Sequence, residues 1–154
     1  MTPRRRTTEE EAFAILQAGK YGVLSMAAPD GEPYGVPLNY YYLPEENAIY
    51  FHCFLKGRKL ELLRQNNRVS FAVVPYEAIQ PERYVTHYDS VIVTGKATFI
   101  TEPEEKTRRL VQLCQTLAPT AIERRDEVIQ KQLAAVTIVK ISVDAITGKR
   151  NRDD

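Results

Sequence analysis

The chain is poor in the residues on which side-chain catalysis usually depends. Of its 154 residues, two are cysteine and two are histidine. Cys53 and Cys114 lie far apart and fit no zinc spacing, so they read as free thiols of a reducing compartment, with no metal expected. No catalytic acid pair, nucleophile elbow or metal-ligand cluster appears, and hydrolysis is left without support. Net charge is scarce as well. Lys plus Arg number 21 against 20 for Asp plus Glu, so no basic field draws the chain to nucleic acid or to an anionic membrane. Any anion binding must be local. No apolar run approaches the roughly 20 residues of a membrane helix. The opening "MTPRRRTTEEEAF" has charge but not the apolar run of a secretory signal. A cytoplasmic protein is expected. Repeats, linkers and low-complexity stretches are also missing, which implies one domain over residues 1–154, with a core of about 11–143 and flexible termini. The Arg4–Arg6 run reads as part of a mobile tail.

What is present is a mixture of capped helices and β-branched strands. Thr8 with Glu11, and Thr101 with Glu104, fit the Thr-x-x-Glu box that satisfies free amides at a helix start. The first helix places Ala12, Ile15 and Leu16 on one stripe and should stop at Gly19. The second begins at Pro103 and buries Leu110, Leu113, Cys114 and Leu117. A short helix opens around Gly57 and ends near Asn66 and Asn67, and "TAIERRDEVIQKQ" is expected to be helical. "YGVLSMAA", "YGVPLNYYYL" and "AIYFHCF" form two successive hairpins through "PDGE" and "PEEN". "RVSFAVV", "YDSVIVTGKATFI" and "AAVTIVKISV" complete six mostly antiparallel strands. A closed or half-closed small barrel follows, because closure removes exposed edges.

One corner concentrates the charge. In Ile49–Phe54, alternation sends Ile49, Phe51 and Cys53 to one face and Tyr50, His52 and Phe54 to the other. A Cys–His catalytic pair from Cys53 and His52 is thereby excluded, and Cys53 reads as a small core residue. "LKGRKLELL" follows. Gly57 allows a tight turn, and the helix behind it presents unpaired amides and the positive end of its dipole. Lys56, Arg58 and Lys59 add full charges at an end where acids are normally preferred. The pattern suits a phosphate; a solvated basic turn is the plain alternative. Pro37, in "GVPLNY", cannot donate to a ladder and marks an edge, bulge or ligand-facing position, freeing nearby backbone groups for a flat heteroaromatic ring.

Taken in order, "GVPLNYYYLPEENAIYFHCFLKGRKLELLRQNNRVSFAVV" and "YDSVIVTGKA" resemble the flavin-binding split-barrel superfamily that includes pyridoxamine 5'-phosphate oxidase. Within it, the sequence is most similar to the nitroimidazole-resistance group. The resemblance spans about residues 11–143 and implies an α+β fold, mainly β with helices: a six-stranded antiparallel FMN-binding split barrel of Greek-key type. It also implies a homodimer with FMN in clefts between subunits. Carried over by position, the main chain of Val36, Pro37, Leu38 and Asn39 lines the isoalloxazine ring. His52 stands in the cleft as a candidate catalytic residue. Lys56, Gly57, Arg58 and Lys59 surround the phosphate, with Lys59 foremost, and Ser90 adds a hydroxyl. The chain departs from true pyridoxamine-phosphate oxidases by ending "DAITGKRNRDD" instead of an Arg-Leu-x-Pro type tail, and by having no tryptophan. Both departures point away from vitamin B6 oxidation.

Three functions compete on this reading: an FMN-dependent oxidoreductase reducing a small organic substrate, a module that holds a phosphorylated cofactor without turnover, and a barrel that binds single-stranded nucleic acid. The balanced charge disfavours the last. So do Tyr40, Tyr41 and Tyr42, which alternate across a strand and offer no single stacking surface; core and dimer packing explains them better. His52 is either a hydrogen-bonded barrel-wall residue or a proton carrier, Ser90 is either solvent-facing or a ligand to phosphate, and His87 is read as loop.

Overall fold

A computed structural model describes residues 5–152. It contains α1 (Glu9–Ala18), β1 (Tyr21–Ala27), β2 (Pro33–Asn39), β3 (Tyr41–Leu43), β4 (Ala48–Phe54), α2 (Arg58–Gln65), β5 (Arg68–Gln80), β6 (Val85–Ile100), α3 (Pro103–Leu117), α4 (Arg125–Gln132) and β7 (Val136–Asn151). The strands form one antiparallel sheet in the order β2-β1-β5-β6-β7-β4-β3. Among the described residues there are seven strands rather than the expected six, and the sheet is not closed by pairing.

The extra strand comes from "YGVPLNYYYL", which breaks at Tyr40. The Tyr40 amide donates to the Lys20 carbonyl at 3.1 Å, and its hydroxyl donates to the Leu16 carbonyl at 2.5 Å inside the core. Residues before the break pair with β1 and residues after it pair with β4, at opposite edges of the sheet. One residue therefore joins the two edges. The sheet must curl until they lie side by side, which gives a barrel split along one seam.

Two cores lie on the two faces of β4. Ile49 and Phe51 join Ala12, Ile15, Leu16, Leu24, Tyr40 and Phe71 inside the barrel. Ala48 and Tyr50 join Tyr41, Leu110, Leu113, Ile129 and Ile138 beneath α3 and α4. The period-2 alternation is thus read by two separate layers. Tyr40 and Tyr42 do face the barrel and Tyr41 the outer core, each against a protein ring: Phe71, Phe13 and Tyr50 respectively.

The Thr8–Glu11 capping box forms, with Thr8 N donating to Glu11 at 2.8 Å and Glu11 N to Thr8 Oγ1 at 3.2 Å. At α3 the cap is instead Glu102, whose carboxylate accepts from Glu104 N and Glu105 N. Charge decides the one-residue shift, because a carboxylate at this end also meets the helix dipole. Gly19 does end α1, but for reasons of space: a Cβ there would lie 2.3 Å from Tyr40 Oη. Of the "TAIERRDEVIQKQ" segment, only Arg125–Gln132 is helical.

The C-terminal stretch is better anchored than expected, since Ala145–Asn151 pair with Tyr88–Thr94 of β6. Arg6 bridges Lys149 and so is not a free tail; Arg4 lies outside the described residues. His87 sits in β6 opposite Ala78 rather than in a loop. Among the described residues, no helix is long and apolar enough to cross a membrane.

Candidate functional site

Strand lengths create the site. β3 pairs only Tyr41–Leu43 with Ala48–Tyr50, so the Phe51–Phe54 half of β4 has no neighbour on that side. β2 is the other sheet edge and pairs with β1 alone. Pro37 therefore occupies an edge strand, where its missing N–H is tolerated. Across the seam, two strand edges carry backbone groups outside any ladder. α2 begins at the end of β4 and closes the bottom of the gap.

A cleft of about 390 Å³ fills this seam, a volume within the usual range for small-molecule sites. Tyr34 and Val36 of β2 form one wall, and His52, Cys53 and Phe54 of β4 the other. Lys56, Gly57, Arg58, Lys59 and Leu60 form its floor, and Gln132 and Val136 complete its rim. Gly57 has φ +142°, a conformation that L side chains rarely adopt, and a Cβ there would meet nothing within 4 Å. Glycine here serves the turn and keeps a side chain out of open space. No side chain caps α2, so its first amides remain available.

Among the described residues, no carboxylate lies within 4 Å of Lys56, Arg58 or Lys59. Arg58 stacks over Tyr34 at 5.1 Å and Lys59 lies over Phe51 at 5.7 Å, so the rings orient the cations without neutralising them. His52 is exposed to the open cleft, yet desolvation by the surrounding wall and then the Lys59 charge lower its pKa, which keeps the imidazole neutral near pH 7. The Cys53 thiol is raised, mainly by burial, and stays protonated. It is not an activated nucleophile.

Of the site residues expected from sequence, Val36, His52, Lys56, Gly57, Arg58 and Lys59 come together in this cleft. Leu38 packs against the barrel core, Asn39 donates its side-chain amide to the Lys20 carbonyl at 3.0 Å, and Pro37 faces outward. These three belong to the same strand edge without lining the cleft. Ser90 is remote within the chain. His52 is in register with Ile138, which pairs with Ile100, ten residues along β6 from Ser90; at strand rise that is roughly 33 Å. Cys53 is half-buried, packs on the barrel core as expected, and also lines the cleft because β4 forms its rim.

Tyr34, Phe54, Leu60, Gln132 and Val136 were not anticipated. Alternation from Val36 leads to Tyr34 and alternation from His52 to Phe54, so both had a usable signal. Gln132 had none, because its place depends on how α4 returns to β7.

The strand order and the glycine-opened helix start in the seam define an antiparallel split-barrel fold. The family profile of pyridoxamine 5'-phosphate oxidase matches residues 8–150, and the chain belongs to that family. No curated protein sequence matches it. Among solved structures, it is similar to a candidate 5-nitroimidazole antibiotic resistance protein from Bacteroides thetaiotaomicron, at 24% identity and TM-score 0.77, over 92% of this chain and 83% of that one. A FAD-binding protein from Mesorhizobium loti is 25% identical with a TM-score of 0.69, over 96% and 97% of the two chains. A FAD and heme binding protein from Mycobacterium smegmatis is 18% identical with a TM-score of 0.77, over 97% and 76%.

Proposed function

We propose that this chain is a homodimeric FMN-binding flavoprotein that acts as an oxidoreductase on a small organic substrate, in the manner of a nitroimidazole reductase. The observation that carries the reading is the junction of an uncapped, glycine-opened helix start with three unneutralised cations in a cleft between two unpaired strand edges. A dianionic phosphate suits the first feature, and a heterocycle with amide-like edges suits the second. Family membership and the likeness to flavin-binding structures support the same choice.

In this reading Lys59, Lys56, Arg58 and the Gly57 turn hold the phosphate. The edge backbone of β2 lines the ring at Val36, Pro37 to Asn39 continue that edge beyond the cleft, and His52 faces the substrate. A bound flavin supplies transfer of two electrons from a reduced nicotinamide or similar donor to an acceptor. His52, neutral at pH 7, donates from one ring nitrogen and accepts at the other, so it can deliver a proton to that acceptor. Ser90 reaches a cleft only across a dimer interface, since its own is too distant.

The visible absorption spectrum of the protein, as isolated and after addition of FMN, is the direct test. A flavin band that follows the protein through gel filtration is expected, and a preparation that stays colourless refutes the reading. A yellow protein that reduces nothing across a panel of nitroaromatic and quinone acceptors would be a binding module without turnover.

A further inference from the structure

The outer face of the sheet continues into an exposed two-stranded arm. Pairing of β5 with β1 ends at Ala72, and the β5–β6 register shifts between Val73 and Tyr76. Beyond the shift Tyr76–Gln80 pair only with Val85–Asp89; β7 still flanks Tyr88 and Asp89, so the ribbon is two-stranded from Ala78 to His87, and Pro81–Arg83 and Tyr84 turn the tip. Ribbons of this kind are marginal in water. Nevertheless Ile79 is 67% exposed and Tyr84 is 95% exposed, and Tyr84 holds a φ of +54°, uncommon for an aromatic residue. The root is anchored, with Arg152 over Tyr76 at 4.0 Å and the Asn151 amide donating to the Thr86 carbonyl at 2.7 Å. The tip shows its apolar residues to solvent.

Register places one arm face in line with the outer sheet face. Pro37, Val23, Ala72 and Ile92 form one cross-strand row. Even-numbered residues of β6 point outward from Ile92, so Ser90, Tyr88 and Thr86 continue that face, and Thr86 is opposite Ile79. The arm leaves the barrel at the Tyr21 end of β1, whereas the cleft residue Tyr34 pairs with Met26 at the other end. A protomer therefore cannot cover its own cleft. A second copy turned end for end by a twofold axis on this face can.

We propose that the β5–β6 arm acts in trans: Ile79 and Tyr84 of one protomer close over Phe54 at the mouth of the other's cleft. The chemistry of the two surfaces is complementary. Phe54 and Leu55 expose an apolar rim beside Lys56 and Arg58, and the arm presents Ile79 and Tyr84 beside two acids, Glu77 and Glu82, and one base, Arg83, a net negative charge. Occupied in this way, the arm excludes water from the cleft and selects flat acceptors narrow enough to pass beneath Tyr84. The inference rests on this cleft being the functional site, though not on the identity of its cofactor.

Cross-linking without flavin tests it. Two chains with Cys53→Ser and Cys114→Ser, one carrying Tyr84→Cys and the other Phe54→Cys, are co-expressed with different tags and treated with a short bismaleimide. A covalent dimer joining the two tags is expected, and each variant alone should give none. A mixture that stays uncross-linked overturns the proposal, as does cross-linking inside one chain of a Tyr84→Cys/Phe54→Cys variant. Should the cysteine variants misfold by circular dichroism, hydrogen exchange on the unaltered protein decides. Amides of Ile79–Val85 and Phe54–Lys59 should lose protection together on dilution to monomer, and independence of concentration overturns the arm. A cross-linked dimer that remains colourless with FMN would refute the flavin assignment alone.

Discussion

Tyr50 and His52 share one face of β4, two residues apart, and live in opposite environments. Tyr50 is buried beneath α3, where Arg109, 6% exposed, stacks over its ring at 4.3 Å. Arg109 is neutralised there by Glu46 and Glu105, both at 2.8 Å, and donates to Gln112 at 3.0 Å. His52 lies past the reach of that helix, over a floor whose cations have no carboxylate partner among the described residues. At the closed end charge is matched within the chain, and at the open end it is left unmatched. The difference teaches where the fold spends its electrostatics: on holding α3 at one end and, in the proposed function, on an external anion at the other.

The largest break in this comparison comes from Arg109→Ala. Glu46 keeps Lys140 and Tyr50 as partners and Glu105 keeps Arg108, so the loss comes from the buried guanidinium's charged hydrogen bonds and its stacking on Tyr50 and should reach about 3 kcal/mol in urea or thermal unfolding. FMN affinity of the folded fraction should not change, because Arg109 does not touch the cleft. Lys59→Glu should do the reverse, weakening FMN binding about 100-fold, or ~2.7 kcal/mol, in a fluorescence-quenching titration. A change within about twofold, ~0.4 kcal/mol, would remove the phosphate from this corner.

Acid should act on the closed end. Glu46 accepts from the Tyr50 hydroxyl and from Arg109 and Lys140, which holds its carboxyl down at about 2. A carboxylate depressed in the folded state adds stability above its unfolded pKa and loses it as pH falls through the folded one. Melting temperature should therefore drop between about pH 4.5 and 2, by the equivalent of about 2 kcal/mol after solvent screening, and less in Glu46→Gln. The smallest effect sharpens the contrast. Arg58→Glu should raise the stability of flavin-free protein by about 0.5 kcal/mol, since an acid suits a helix start better than a base. Destabilisation on that change would show that Arg58 is held for packing on Tyr34 and not for a ligand.

Much of the site was legible because it is contiguous. His52 to Lys59 is one strand end, one glycine and one helix start, and each is set by neighbours a few residues away. The stripe Ala12, Ile15 and Leu16 and the opposed faces of Tyr40–Tyr42 were legible for the same reason. Tyr34 and Phe54 needed only the same alternation carried one step further. The Thr101 cap was misread because Thr and Glu compete for one position and the local pattern does not rank them. His87 was read as loop because "YVTHYDS" gave no sign that Ala78 would extend β5 to meet it.

The sequence alone determined the helix and strand periods, the start of α1, and the basic turn, since each depends on residues within a turn or a pleat of one another. Tertiary structure decided that Tyr40 splits a strand in two, that β3 is too short to cover β4, and that the resulting seam faces the cations. It also decided that Arg109 would find its acids and Lys59 would not. Those outcomes depend on contacts between residues tens of positions apart, where the curl of the sheet sets which edges and charges can meet.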